Sequence, residues 1–240
     1  MRITFLGTGT SHGVPMIGCD CATCRSRDAH DRRLRPSIFI QTADTNLLVD
    51  ADPDLRAQAL AHDIRRLDAI LFTHGHADHI LGMDDLRRFN AMQKGPLACF
   101  GDAHTLDDIR HTFGYVFDPA TPKGGGLPRL ELFRIMGAFC AGRTEVTPVP
   151  LWHGKRAILG YRVGAFAYLT DCSRIPDESW PLLGGLEVLV LDALRERPHP
   201  THFSLDEASD AASRVGARQT YFTHMCHDPL AYDGLVIHVQ

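Results

Sequence analysis

The sequence predicts an α+β fold in which two mixed β-sheets pack face to face and helices cover their outer sides. Short apolar runs typical of strands occur in both halves of the 240-residue chain, and stretches of helical period follow strands in each half. One connector, residues 118–128, is rich in Pro and Gly, and apolar strands resume directly after it. We therefore expect a surface loop there and one domain over residues 1–240.

The first half of the chain contains five strand-like runs and three helix-like stretches. Strands are predicted at residues 3–6, 37–42, 46–50, 68–73 and 97–100, and helices at 52–62, 83–92 and 105–113. The second and third strands flank a short polar loop, which predicts an antiparallel hairpin. Asp52-Pro53 predicts the start of the first helix, because aspartate caps helices and proline favours the first helical position.

The second half repeats this order of strands and helices. Strands are predicted at residues 130–135, 145–152, 158–163, 165–170, 187–191 and 219–223. A helix is predicted over Ser204–Val215, with Ser204 as its N-cap. Two such groups of strands and helices fit the arrangement of two packed sheets.

Charge and hydropathy restrict the partners and the compartment. Twenty-five basic and 29 acidic residues give a net charge of −4, so we expect no stable nucleic-acid binding. No stretch approaches the roughly 18 apolar residues of a membrane span. The apolar run at the N-terminus is too short for a secretion signal, so we expect a cytoplasmic protein. An enzyme that acts on a small phosphate ester remains compatible with this charge.

A dense metal-binding pattern follows the buried strand at residues 68–73. It reads Thr73-His74-Gly75-His76-Ala77-Asp78-His79, in a chain with 14 His, 7 Cys and 23 Asp. Side chains at positions i and i+2 of an extended segment point to one side, so His74 and His76 can converge on one ion. Asp78 and His79 lie beyond Gly75 and are placed to serve a neighbouring ion. Imidazole and carboxylate are suitable ligands for zinc or a similar divalent metal.

This motif resembles that of the metallo-β-lactamase fold superfamily of hydrolases. The resemblance implies a four-layer αββα sandwich with two metal ions at the strand ends. Further family positions are matched in order by His153, Asp171 and His224. The resemblance then implies one ion held by His74, His76 and His153, a second held by Asp78, His79 and His224, and Asp171 as the bridge between them. It also implies that Asp50 hydrogen-bonds a metal-binding histidine.

A second cluster, Cys19-x-Cys21-x-x-Cys24, has the spacing of a structural zinc site that lacks one ligand. His227 and Cys226 are the two candidates for the fourth position. In a reducing compartment such a cluster more often holds metal than disulfides. We expect the zinc to pin a long N-terminal loop at about residues 11–36.

The Cys cluster, the N-terminal GTGTSHGVP and the final H-x-x-H together resemble the phosphoribosyl cyclic phosphodiesterase branch of the superfamily. That branch cleaves 5-phosphoribosyl 1,2-cyclic phosphate in phosphonate breakdown. The resemblance implies His227 as the fourth structural ligand. It also implies a role for His202 in contacting the phosphate and protonating the leaving oxygen, with His199 as a weaker candidate. Asp78 and Asp171 would be essential for catalysis.

The predicted activity is hydrolysis of a small cyclic phosphodiester, with the attacking water activated by two ions of zinc or manganese. Three alternatives stay open. The first two are a tRNA 3′-processing endonuclease and a glyoxalase II-like thioesterase of the same fold. The third is a non-catalytic accessory protein of coenzyme pyrroloquinoline quinone biosynthesis, whose family shares the Cys cluster. A homodimer is also left open by the sequence.

Overall fold

The computed structural model describes residues 1–122, 126–227, 233 and 235–239. Within them, seven strands form a first sheet. Its strands are, in spatial order, β13 (Val236–His238), β1 (Arg2–Gly7), β2 (Ser37–Gln41), β3 (Asn46–Val49), β4 (Ala69–Leu71), β5 (Leu97–Gly101) and β6 (Leu130–Arg134). Pairing is antiparallel from β13 to β3 and parallel from β3 to β6, so the sheet is mixed.

Six described strands form a second mixed sheet. Its strands are, in spatial order, β12 (Gln219–Thr223), β11 (Val188–Asp192), β10 (Phe166–Leu169), β9 (Arg156–Val163), β8 (Thr144–His153) and β7 (Phe139–Ala141). The strands β10, β11 and β12 run parallel, whereas β7 to β10 pair antiparallel. The strand predicted at residues 130–135 belongs to the second half in the sequence pattern, but β6 pairs with β5 in the first sheet.

The two sheets pack face to face across one apolar core, to which Phe5 and Leu71 contribute from the first sheet and Val190 from the second. Strand β4 shows the alternation that makes this possible. Ala69 and Leu71 face the other sheet, while Ile70 faces the helices on the outer side. Burial of a side chain the size of Leu71 or Ile70 contributes about 2 kcal/mol.

Helices cover both outer faces and complete four layers, so the predicted αββα sandwich is confirmed. The described α-helices are α1 (Ala22–Arg25), α2 (Leu55–Ala61), α3 (Ala77–Ile80), α4 (Leu86–Gln93), α5 (Ala103–Thr112), α6 (Gly114–Phe117) and α7 (Leu205–Val215). Helices α2, α4 and α5 pack on the first sheet, and α7 packs on the second. Short 3-10 segments lie at Ala29–Asp31, Leu81–Asp85 and Asp177–Leu183. No described helix has the length and apolar character needed to cross a membrane.

Helix α7 begins as its sequence predicts. The Ser204 hydroxyl accepts a hydrogen bond from the backbone N–H of Glu207, whose carboxylate accepts one from the backbone N–H of Ser204. Gly216 ends the helix in the left-handed region, with φ 65°. This fixes the segment before the helix, which carries His202, against the end of β11.

The predicted start of α2 is wrong. The helix begins at Leu55 rather than at Asp52-Pro53. The Asp52 carboxylate is fully buried and accepts hydrogen bonds from the backbone N–H of Asp54 at 2.6 Å and from the Gln58 side chain at 2.7 Å. It therefore organises the turn that precedes the helix. Of the connector 118–128, residues 123–125 lie outside the described part of the chain.

Candidate metal centre

The predicted site residues lie together at one edge of the two sheets. Asp50 and His74 follow β3 and β4 of the first sheet, and Asp171 and His224 follow β10 and β12 of the second. His153 is the last residue of β8. Each strand delivers its side chain at its carboxyl end, which is where open α/β sheets place ligands.

Three of these residues have an unusual backbone conformation. Asp50, Asp171 and His224 have φ values of 63°, 57° and 58°, in the left-handed region. Asp and His enter this region more readily than most residues, and such conformations concentrate at functional sites. The chain bends sharply at each strand end, so the buried strand can stop and still aim a polar side chain inward.

His74, His76 and His153 form a first ligand group, whose ring nitrogens lie within 4.8 Å of one another. Nε2 of His74 is 2.9 Å from Nδ1 of His76. Burial lowers the pKa of all three rings, most strongly for His74. The rings are therefore neutral near pH 7 and have lone pairs available for a cation.

Asp78, His79, Asp171 and His224 form a second group with ligand atoms equally close. The Asp171 carboxylate is 3.3 Å from Nε2 of His79 and 3.1 Å from Nε2 of His224. Burial opposes a charge on His224, yet Asp171 and its neighbouring carboxylates raise its pKa to about 9. Burial likewise opposes a charge on Asp171, but His224 and His79 hold its pKa well below its usual range.

Asp171 lies between the two groups. Its carboxylate also lies within 4.8 Å of ring nitrogens of His153 and His202, so it is in reach of the first group as well as the second. The second group holds the carboxylates of Asp78 and Asp171 close together in a largely buried space, which favours positive charge beside them. In the absence of a metal, these carboxylates raise the pKa of His79 and His224, so the protonated rings supply the positive charge.

The residues present fit divalent metal ions. Among the described residues, Nε2 of His79 and Nε2 of His224 are buried with no hydrogen-bond partner, although both lie beside carboxylate oxygens. Unpartnered buried nitrogens of this kind are rare and need an explanation. A set of imidazole nitrogens and carboxylate oxygens suits a divalent metal ion, and a bound ion would give these nitrogens a partner.

Asp50 lies where the sequence analysis expected it, against a histidine of the site. Its carboxylate is 2.7 Å from Nδ1 of His79 and accepts hydrogen bonds from the backbone N–H and the hydroxyl of Thr73. Because Nδ1 of His79 donates a hydrogen bond to Asp50, Nε2 of the same ring faces Asp78 and Asp171. The buried carboxylate thus fixes both the tautomer and the orientation of this ring.

His202 lies inside the site, and its partner Asp192 was missed by the sequence analysis. The His202 ring stacks on the His224 ring, with 4.6 Å between the ring centroids. It meets the His153 ring edge-on, with 4.7 Å between the centroids. Nδ1 of His202 is 3.2 Å from the buried Asp192 carboxylate, which also accepts from the backbone N–H of Asp171 and of Phe203. The signal for Asp192 was present in the sequence. Like Asp50, it directly follows an apolar strand run.

His199 lies further out than His202. Its ring centroid is 5.2 Å from that of His202, and its Nδ1 accepts a hydrogen bond from the backbone N–H of Thr201 at 3.4 Å. The carbonyl of Thr201 in turn accepts from Nδ1 of His153 at 2.8 Å. The loop before α7 therefore supports His153 and carries His202, whereas His199 belongs to none of the candidate ligand groups among the described residues.

The Cys cluster meets His227. Nδ1 of His227 lies 3.7, 2.9 and 3.6 Å from the sulfurs of Cys19, Cys21 and Cys24. The backbone N–H of Cys24, followed by His227, lowers the pKa of Cys21 to about 6, whereas burial raises that of Cys24 to about 11. Of the two predicted fourth ligands, His227 is the one grouped with the three thiols.

The loop that carries these cysteines is tied to the end of β12. Gly9 pairs with Met225, and Arg33 donates to the carbonyl of Cys226 at 3.0 Å. Just before this loop, the carbonyl of Thr8 accepts a hydrogen bond from the backbone N–H of Met225 at 2.9 Å. These contacts hold the loop next to His224, and the zinc predicted to pin residues 11–36 would bind at the four-residue cluster within this region.

Comparisons with known proteins agree with this fold. The sequence family described as "Beta-lactamase superfamily domain" matches residues 45–225. A crystal structure of a new diphosphatase from the PhnP family is 43% identical, with a TM-score of 0.92, and the alignment covers 100% of this chain and 98% of that one. Zn(2+)-bound PqqB from Methylobacterium extorquens has the same fold, with 19% identity, a TM-score of 0.72 and full coverage of both chains.

One relative is a longer protein. The chain is 39% identical, over 99% of its length, to a Porphyromonas gingivalis protein named octanoyltransferase. It spans 48% of that protein, about half of its length.

Proposed function

Because the chain belongs to the beta-lactamase superfamily and has the metallo-β-lactamase fold, we propose that it is a metal-dependent hydrolase of phosphoric diesters. The observation that carries the proposal is the position of Asp171 between the two ligand groups. The 43% identity to a PhnP-family diphosphatase over the whole chain supports cleavage at phosphorus rather than at carbon.

The two groups at the sheet edge would hold two divalent ions. His74, His76 and His153 would bind one, Asp78, His79 and His224 would bind the other, and Asp171 would contact both. Zinc or manganese bound there would supply Lewis-acid stabilisation of the phosphate oxygens and would lower the pKa of an attacking water. Cys19, Cys21, Cys24 and His227 would hold a third, structural zinc.

His202 is the proposed general acid. Nδ1 of its ring faces Asp192, so the proton available for transfer is on Nε2. The Asp192 carboxylate accepts the hydrogen bond from Nδ1 and so holds the ring in one orientation. Donation from Nε2 to the departing oxygen would avoid release of a free alkoxide.

The proposed substrate is a small cyclic phosphodiester of the 5-phosphoribosyl 1,2-cyclic phosphate type, hydrolysed in the cytoplasm without stable binding of nucleic acid. A diphosphate is the second candidate, because the 43% identical structure is named a diphosphatase. Both reactions require attack of water at phosphorus and protonation of a leaving oxygen, which the same residues can serve.

Acyl transfer is a weaker candidate. The longer relative named octanoyltransferase is matched over about half of its length, so its name is not tied to the half that this chain matches. A thioesterase, a tRNA endonuclease and a non-catalytic accessory protein are the remaining alternatives. They are separated from the proposed function by the substrates that the purified protein turns over.

The test is a substrate panel run on protein loaded with zinc or with manganese. The panel contains 5-phosphoribosyl 1,2-cyclic phosphate, a nucleoside 2′,3′-cyclic phosphate, a nucleoside diphosphate ester, an acyl thioester and a precursor tRNA. We expect turnover of the first, its loss in Asp171→Ala, and unchanged turnover in the exposed control Asp107→Asn. Turnover of the thioester or the tRNA alone would overturn the proposal, as would full activity of Asp171→Ala.

A further inference from the structure

The tip of the β8–β9 hairpin places a cation beside the metal centre. Arg156 is paired with His153 across the hairpin. Directly opposed residues of an antiparallel pair project from the same face, so the Arg156 side chain leaves the hairpin on the side of a candidate metal ligand. Gly154 and Lys155 form the turn between them, and Lys155 is exposed.

Asp108 of α5 holds Arg156 in this position. The Arg156 guanidinium, through Nη2, pairs with the Asp108 carboxylate. That carboxylate also fills the space over Gly75, where a Cβ would clash with it. The absence of a side chain at Gly75 therefore lets the ion pair lie directly against the segment that joins His74 to His76.

The Arg156 side chain is 24% exposed and that of Asp108 is 30% exposed, so the pair lies at the rim of the site. It is neither in the core nor free in solvent.

Most of the guanidinium remains available to a ligand. Arginine has five N–H donors in a planar fork, and among the described residues only Nη2 of Arg156 has a partner. The ion pair with Asp108 uses only one nitrogen of the guanidinium. The remaining donors belong to a side chain on the face of the hairpin that carries His153, and arginine binds phosphate through two parallel hydrogen bonds.

We propose that Arg156, positioned by Asp108, binds a second anionic group of the substrate, a phosphate monoester at some distance from the bond that is cleaved. The inference rests on the proposed phosphodiesterase function and assigns a residue to the phosphate monoester of the proposed substrate.

The test compares two substrates that differ only in this group, 5-phosphoribosyl 1,2-cyclic phosphate and ribosyl 1,2-cyclic phosphate. Wild-type protein should prefer the first in kcat/KM, and Arg156→Gln should remove that preference. We expect KM for the phosphorylated substrate to rise about 10- to 100-fold, as for loss of hydrogen bonds to a charged group, with little change in kcat. The kinetics of the unphosphorylated substrate should stay the same.

Two further variants separate binding from structure. Arg156→Lys keeps the charge but not the fork, so it should recover only part of the preference. Lys155→Gln removes the neighbouring exposed cation and should leave the preference intact. Metal content and thermal midpoint, measured for every variant, should match those of the wild type.

The outcomes are distinct. An equal loss of kcat/KM for both substrates in Arg156→Gln would overturn the subsite and leave the phosphodiesterase function standing. A wild-type protein that hydrolyses neither substrate would overturn the proposed function, and the subsite with it. Loss of the preference in Lys155→Gln would show that Lys155 contacts the phosphate and would overturn the assignment to Arg156.

Discussion

The charge balance around Asp171 predicts that the metal-free protein loses stability as the pH rises. Burial disfavours the charged form of His224, but the carboxylate of Asp171 prevails and raises the pKa of His224 to about 9, from an ordinary value near 6.5. A histidine whose pKa is higher in the folded state stabilises the protein fully below its unfolded pKa. That contribution is lost as the pH rises through the folded pKa.

The size of the loss follows from the shift in the pKa of His224. Each pH unit between the two values is worth about 1.4 kcal/mol, so the protonated ring contributes about 3 kcal/mol at pH 6 and nothing above about pH 9. Bound metal ions would take the place of the proton. The metal-loaded protein should therefore lose no stability across this window.

The measurement is urea unfolding between pH 6 and 9.5, followed by the fluorescence of the two tryptophans. Metal-free wild-type protein is compared with metal-free Asp171→Asn, in which the largest cause of the raised pKa is gone. The thiols of the Cys cluster titrate in both proteins, so their contribution cancels. The wild type should lose about 3 kcal/mol and Asp171→Asn clearly less. Parallel curves for the two proteins would refute this account of the site.

Three other predictions concern single side chains. Asp192→Asn should lower kcat about 10- to 100-fold because it removes the carboxylate that holds the His202 ring, and His202→Ala should lower kcat about 10²- to 10⁴-fold. In steady-state kinetics the double variant should match His202→Ala, whereas additive losses would show that the two residues act independently. Cys24→Ser should lose one metal equivalent and lower the thermal midpoint, measured by mass spectrometry and calorimetry, while the exposed control Cys140→Ser changes neither. Ser204→Ala should lower the free energy of unfolding in urea by about 1 kcal/mol, since it removes the N-cap of α7; an unchanged value would show that the cap contributes nothing.

The strands and the core of the site follow from local patterns. Short apolar or alternating runs predict strands, and residues 219–223 form the predicted strand without shift. The segment from His74 to His79 is short enough to be recognised as one motif. The positions of His153, Asp171 and His224 required the order of a family pattern, because each is a lone residue at a strand end.

What the sequence did not predict depends on contacts between distant segments. Strand β13 has three residues, too few for a recognisable period, and exists through its pairing with β1. Asp52 resembles a helix cap, but Gln58 and the following turn use its carboxylate. Asp192 follows an apolar strand run, as Asp50 does, but its contact with His202 appears only where the segment before α7 packs beside β11.

The central claim, that Asp171 joins two metal ions at a hydrolytic site, is tested most directly by metal content. Plasma mass spectrometry on reconstituted protein should give about three equivalents per wild-type chain, two at the sheet edge and one in the Cys cluster. Asp171→Ala should keep the Cys-cluster equivalent and lose most of the other two. A wild-type chain that holds one equivalent, or an Asp171→Ala chain that keeps all three, would contradict the account.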